Sequence, residues 1–250
     1  MPAFKDHYSA GAAGYAAHRP TYPDALGDFL ATAAPRRELA WDAGCGSGQL
    51  SVLLAAPGRF ARVIGTDASA EQIAHAPPHP RIAYARAPAE ASGLPDAAAD
   101  LAVAAQAAHW FDLPAYYAEV RRVARPGAIV ALITYGLLSV DGEIDPVVRR
   151  FYTEVLGPYW PPERRHVEDA YRSLPFPFDD IAPPPLEMRA AWALADVVGY
   201  VKTWSAVRAI ERAHGRTPLE TFRRVLGRAW GAAETVRPVR WTLALRVGRR

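Results

Sequence analysis

The chain has a single cysteine, Cys45, among 250 residues, which excludes an internal disulfide and any zinc site built from several cysteines. Lysine is almost as scarce, Lys5 and Lys202 being the only ones, so arginine carries nearly all the basic charge. The formal net charge is only +3 and the arginines are interleaved with acids, so no basic stripe marks a nucleic-acid surface. Doublets such as Arg121-Arg122 and Arg223-Arg224 read as solvated helix faces. Long hydrophobic runs are missing too. The most apolar one, residues 128–140, is interrupted by Thr134, Gly136 and Ser139 and is too short to span a bilayer. The first nine residues hold Lys5, Asp6 and His7 without an apolar centre and do not read as a secretory leader. His75 and His79 are four apart, but Pro77 and Pro78 forbid the helix that would bring them onto one face, so no metal is expected. These absences predict a cytoplasmic protein with no nucleic-acid or membrane partner, acting on a small molecule as a monomer or weak dimer.

Half of the residues are hydrophobic, enough for the core of one large α/β domain carrying an insertion. Short apolar runs that end in polar residues alternate with amphipathic stretches. Strands are expected at 39–42, 62–67, 82–85, 100–105 and 128–134, and helices at 49–56, 69–75 and 114–123. A further helix starts behind Pro23, where Leu26, Phe29 and Leu30 recur on one face. Arg125-Pro126-Gly127 reads as a turn. This alternation argues for a parallel sheet covered on both faces, whose ligands bind beyond the carboxyl ends of the strands. After Tyr135 it stops. Residues 145–156 look helical, 157–185 form an ordered segment rich in proline and aromatics, and 186–192, 196–213, 219–233 and 239–247 read as strand, helix, helix and closing strand. The resulting division is an N-terminal cap segment at 1–35, a cofactor-binding core at 36–138, a cap insertion at 139–185 and a completing segment at 186–250.

The chemistry is concentrated in Trp41-Asp42-Ala43-Gly44-Cys45-Gly46-Ser47-Gly48. A dinucleotide site requires Gly-x-Gly-x-x-Gly, and here Gln49 stands where its third glycine belongs. Asp42, ahead of the first glycine, would sit badly beside a pyrophosphate and suits a ligand with a cationic amino group and no phosphates. Asp67, ending the next strand, is placed to accept ribose hydroxyls. Together these features predict a nucleoside-type cofactor and disfavour a dinucleotide-dependent oxidoreductase.

With the 42–48 turn and Asp67, the Ala89-Glu90 loop, Gln106 with His109-Trp110-Phe111, Arg125-Pro126-Gly127, Arg19-Pro20 with Tyr22-Pro23 and Thr203-Trp204-Ser205, the chain resembles class I S-adenosylmethionine-dependent methyltransferases. The resemblance is to the group that includes methyltransferase type 11 domains and trans-aconitate methyltransferase. It implies an α/β, Rossmann-like, doubly wound and mostly parallel seven-stranded sheet with helices on both faces and a helical, aromatic cap. It also implies S-adenosylmethionine as cofactor, with S-adenosylhomocysteine as product. Gly44, Cys45 and Gly46 would cradle the methionine part and Asp42 would position its amino group. Asp67, with Ala68 beside it, would hold the ribose, Ala89 would border the adenine, Gln106 would lie near the methionine moiety, and Tyr15 and Arg19 would close over the cofactor. The family often has aspartate where this chain has Pro88, so adenine N6 must find another acceptor or forgo one.

Other residues are open between two roles. His109 is a structural histidine, or a base or orienter for the methyl acceptor. Trp110, Tyr159, Trp160 and Trp204 are core aromatics or substrate wall. Cys45 lacks a histidine partner in sequence and reads as packed rather than nucleophilic. Ala105-Gln106-Ala107-Ala108 replaces the Asn/Asp-Pro-Pro-Tyr/Phe signature of adenine-type amino methyltransferases. The reaction expected is in-line methyl transfer to a carboxylate, hydroxyl or carbon; the alternative is a catalytically silent cofactor-binding protein.

Overall fold

A computed structural model describes residues 20–250, so Tyr15 and Arg19 lie outside the described residues. Five parallel strands form the centre of the sheet: β1 (Leu39–Ala43), β2 (Arg62–Asp67), β3 (Ile82–Arg86), β4 (Ala99–Ala105) and β5 (Ala124–Tyr135). The long final strand β8 (Arg237–Arg249) runs antiparallel to β5 and also pairs with the short β6 (Asp179–Asp180), giving the order 3-2-1-4-5-8-6. Strand β7 (Glu187–Trp192) pairs with the earlier part of β8, off that path. The order reverses between β1 and β4, so the crevice at a topological switch point opens at the carboxyl end of β1, where the glycine turn begins.

Period-two alternation decides which side chain goes to which face. Ala40, Leu101, Val103, Ile129, Ala131 and Ile133 bury one way, against Leu26 and Leu30 of α1 (Asp24–Ala33) and Leu50 and Leu54 of α2 (Gln49–Leu54). Trp41, Ala102, Ala104, Val130 and Leu132 bury the other way, against Tyr116, Tyr117, Val120 and Val123 of α4 (Leu113–Val123). Both faces are therefore dry, and the strands can be apolar throughout. The short α3 (Ala70–Ala74) starts at Ser69, whose side chain accepts from the Gln72 amide as an N-cap should.

The 125–127 segment departs from the expected turn. It lies inside β5 as a bulge: Ala99 pairs with Ala124, whereas Leu101 already pairs with Ile129. Gly127 supplies the positive φ of +79° that the excursion needs. Its reason is electrostatic. Asp100 is fully buried, takes the Glu38 and Leu39 amides on Oδ2 at 3.0 Å, and receives Arg125 on Oδ1 at 2.9 Å. The bulge brings that guanidinium back to the edge of β1, where it also meets Glu38 at 2.8 Å. Asp100→Ala should therefore lower unfolding free energy by about 1–3 kcal/mol for each buried amide left unpaired. Denaturant titration reads this directly, and an unchanged midpoint would remove Asp100 from the scaffold.

The C-terminal half differs from the sequence reading at two places. The helix expected at 145–156 is α5 (Ile144–Arg150), which widens into a π turn at Phe151–Val155. This allows Phe151 to stack on Phe222 at 4.2 Å. Beyond the short α6 (Arg164–Glu168), the helix expected at 196–213 is broken into α7 (Leu194–Lys202) and α8 (Ser205–His214). Trp204, between them, is extended, and its ring is held by Tyr152, Trp160 and Tyr200 at 5.6–5.8 Å. Burial of that indole outweighs the local preference for a continuous helix. The last helix, α9, spans Thr217–Trp230. Among the described residues no helix is long and apolar enough to cross a membrane.

Candidate active site

The glycine turn is tied to the neighbouring strand before it reaches α2. The Gly44 and Cys45 amides donate to the Thr66 carbonyl at 2.8 and 3.0 Å, and the Gly46 amide donates to Asp67 Oδ2 at 2.9 Å. Asp67 Oδ1 takes the Ser69 amide at 2.8 Å. Asp67 thus braces the turn from below the crevice. Gly44 has φ +67°, and a Cβ there would stand 2.6 Å from the Ala107 Cβ and 3.1 Å from the Phe111 ring. Gly48, at φ +81°, has the Tyr84 hydroxyl where its own Cβ would be.

Beneath the turn lies Asp42, 1% exposed. Ser51 donates to its Oδ2 at 2.6 Å, while Oδ1 is buried with no partner among the described residues. Burial pushes the Asp42 carboxyl up to about 7; the Ser51 hydrogen bond opposes this shift and the charge of Asp67 adds to it. Burial also pushes the Cys45 thiol up, followed in effect by Asp42 and Asp67, so the thiol is held neutral and is no nucleophile. Tyr84 lies along Gly65, where a Cβ would come within 2.8 Å of the ring. Its hydroxyl is buried beside Ser51 and is pushed up to about 12, chiefly by burial, with Ser51 opposing the shift. Ser51 and Tyr84 were not singled out from sequence. The signal for Tyr84 was present: a glycine inside a strand marks a close approach from next door, and Tyr84 is the register partner of Gly65.

Ala68 and Ala89 border the same end of the sheet. The Ala68 carbonyl accepts from Arg86, and Ala89 is buried in the loop after β3. Gln106, just past β4, is a non-glycine residue at φ +54°, a conformation that costs on the order of 1–3 kcal/mol and persists where surrounding contacts enforce it. Here its Nε2 donates to the Tyr135 carbonyl at 2.8 Å, its Oε1 accepts from Thr134 at 3.0 Å, and its amide donates to Ile133.

On the far side of Gln106 lies a polar pocket. Gln106, His109, Trp160, Arg164, Thr203 and Trp204 are among its walls. Two of the four aromatic substrate candidates, Trp160 and Trp204, therefore reach it. Trp110 does not line it and instead tilts against His109, ring centroids 4.8 Å apart. Tyr159 turns away, its hydroxyl meeting His214 Nε2 at 2.5 Å. His109 shares a 2.7 Å hydrogen bond between Nδ1 and the Tyr171 hydroxyl. Burial first, then the charges of Arg164 and His166, lower its pKa to about 3, so the ring is neutral and weakly basic at physiological pH. Arg164 had no spacing signal in the sequence, because it enters the pocket from the first turn of a helix, Arg164–Glu168, too short to show periodicity.

A doubly wound sheet, a glycine turn at its switch point and a buried acid with an unmet acceptor beneath that turn define an α/β protein of the nucleotide-type cofactor-binding class, with a polar pocket beside Gln106. The methyltransferase domain family model of type 11 matches residues 41–132. A Dictyostelium discoideum protein named as a methyltransferase is 32% identical over 231 residues, covering 91% of this chain and 87% of its own. The solved structure of a protein assigned to the type II methyltransferases of Anaeromyxobacter dehalogenans is 52% identical, with TM-score 0.86, over 92% of this chain and 97% of that one. A malonyl-[acyl-carrier protein] O-methyltransferase of Pectobacterium atrosepticum is 29% identical, covering 71% of this chain and 66% of its own. The chain belongs to the methyltransferases, and its residues 41–132 match a type 11 methyltransferase domain.

Proposed function

We propose that the chain methylates an oxygen of a small acceptor that is already ionised at neutral pH, a carboxylic acid being the simplest case. The observation that carries this reading is the neutral, weakly basic His109 in a pocket that opens beside the end of β4. A side chain of such low basicity is mismatched to removing a proton from a phenol or carbon acid near pH 7, whereas a carboxylate needs no base. The name of the Pectobacterium relative, an O-methyltransferase, is in keeping with this reading.

The turn fits S-adenosylmethionine. The orphaned Asp42 Oδ1 offers a buried acceptor for a cationic amino group, directly or through water, and the glycines leave the backbone open to close approach. When bound, the cofactor supplies a methyl carbon on a cationic sulfur, so the acceptor's lone pair forms the new bond as the carbon–sulfur bond breaks and its electron pair stays on sulfur. Gln106, locked by three hydrogen bonds, marks the passage between the two sites. His109, held by Tyr171, orients the acceptor by hydrogen bonding. The chain's contribution to rate is then alignment and exclusion of water.

Calorimetry is expected to give micromolar binding of S-adenosylmethionine and S-adenosylhomocysteine. Labelled cofactor should then pass its methyl to small carboxylic acids as alkali-labile esters, at a rate with no inflection from His109 between about pH 6 and 8. No heat at millimolar cofactor would sink the cofactor assignment. Methylation confined to carbon or nitrogen would sink the acceptor assignment.

A further inference from the structure

Several arginines among the described residues end on acids: Arg59 on Asp24 and Asp28, Arg122 on Asp96 and Glu119, Arg237 on Asp141. Arg164 does not, although it lines the pocket beside His109. Its one side-chain hydrogen bond among the described residues runs from Nε to the Tyr152 hydroxyl at 2.7 Å. That hydroxyl donates in turn to Glu168 at 2.9 Å, so its orientation is fixed. The guanidinium also lies over the rings of Trp160, at 4.8 Å, and Tyr152, at 5.4 Å. Trp160 is itself pinned by its indole N–H donating to the Tyr152 carbonyl at 3.1 Å. Nε and one side of the fork are therefore constrained by the protein, while neither terminal nitrogen has a hydrogen-bond partner among the described residues.

A guanidinium stacked on aromatics and held at Nε is pre-organised, so little further rotamer freedom is lost when its free edge meets a planar anion. The chemistry matched by two parallel N–H donors is a carboxylate. We propose that Arg164 is the specificity residue of the acceptor pocket, binding the carboxylate of an acid substrate through its two terminal nitrogens, with Tyr152 and Trp160 as positioning residues. This rests on reading the pocket as the acceptor side of a methyl-transfer site. It adds that acids are selected by a charge on the cap, 58 positions along the chain from Gln106. The same charge helps keep His109 neutral, so one residue suits the pocket to acids and unsuits it to acceptors that need a base.

The test needs no cofactor. Acetate, benzoate and succinate, each against its own amide, are titrated into the full chain by ligand-observed NMR. The acids should bind about tenfold or more tighter than their amides. Arg164→Gln should level that difference, and Tyr152→Phe, which keeps the charge but frees the fork, should weaken acid binding about threefold with the preference for acid retained. Arg189→Gln, on an exposed strand, should change nothing, and circular dichroism checks that each variant folds. Equal binding of acids and amides, no binding of any acid at tens of millimolar, or a preference that survives Arg164→Gln would each overturn the proposal. Acid selection without S-adenosylmethionine binding would leave Arg164 an anion site and defeat the methyl-transfer reading instead; cofactor binding without acid selection would do the reverse.

Discussion

Gly44→Ala is expected to weaken S-adenosylmethionine binding by about tenfold or more, together with a measurable loss of stability. The left-handed φ of +67° costs an alanine roughly 1–2 kcal/mol that glycine does not incur. The added methyl would also stand 2.6 Å from the Ala107 Cβ and close to the Phe111 ring, an overlap that protein interiors relieve by shifting, at about 1–3 kcal/mol. Neither neighbour has a long flexible end to swing aside, so the turn itself must move. Movement there displaces the Gly44, Cys45 and Gly46 amides from Thr66 and Asp67. Because about 1.4 kcal/mol is a tenfold change in affinity, even partial displacement is readable by calorimetry. Adding Ala107→Gly removes the collision but not the backbone strain, so the double variant should recover part of the affinity and not all of it. Full affinity in Gly44→Ala alone would show that this turn is not the cofactor's floor.

The second large effect concerns pH. Asp42 has a folded-state pKa of about 7, raised by burial above an ordinary aspartate value near ~3.9. Below about pH 4 it is protonated in both states and costs nothing. As pH rises from about 4 to about 7, the unfolded chain ionises freely while the folded chain resists, so the unliganded protein loses stability over that window and then levels off. Asp42→Asn should abolish this loss, as thermal melts at about pH 4.5 and pH 7.5 would report. Cofactor binding should move the other way. Only the ionised carboxylate attracts a cationic amino group, so affinity should climb as pH rises toward about 7.5, short of the range near ~7.7–8.0 where an α-amino group loses its own proton. Asp42→Asn should flatten that climb, with about a tenfold deficit at pH 7.5 and little difference at pH 5.5. An unaltered pH dependence in the variant would place the amino group elsewhere.

Both predictions concern residues that a linear reading could find. The 42–48 turn is legible because its function is local. Glycine spacing encodes backbone geometry within a few residues, an acid before the turn disfavours a pyrophosphate, and short apolar runs alternating with helical stretches specify a doubly covered sheet. The same logic finds Asp67, since strand and acid repeat. It does not find that Asp67 braces Gly46, or that Tyr84 lies under Gly48, although Gly65 carried a hint. It also reads Arg125-Pro126-Gly127 as a turn, because the buried Asp100 that draws Arg125 into a bulge lies 25 positions away in sequence.

The pocket beside Gln106 was legible only in part: His109, Trp160 and Trp204 stood among the candidates, but nothing in the sequence said which of them share it. Trp204 breaks a helix that local propensity would continue, because Tyr152, Trp160 and Tyr200 surround its indole. Tyr159 and Trp160 are adjacent in sequence and equivalent in composition, yet one faces His214 and the other the pocket. The sequence by itself determined the sheet and the conformation of the glycine turn, since those depend on short-range periodicity and on single positions with strict backbone requirements. Tertiary structure alone decided the pocket, the basicity of His109 and the open fork of Arg164. Each depends on burial and on charges brought together from distant segments, and neither leaves a periodic trace in the chain.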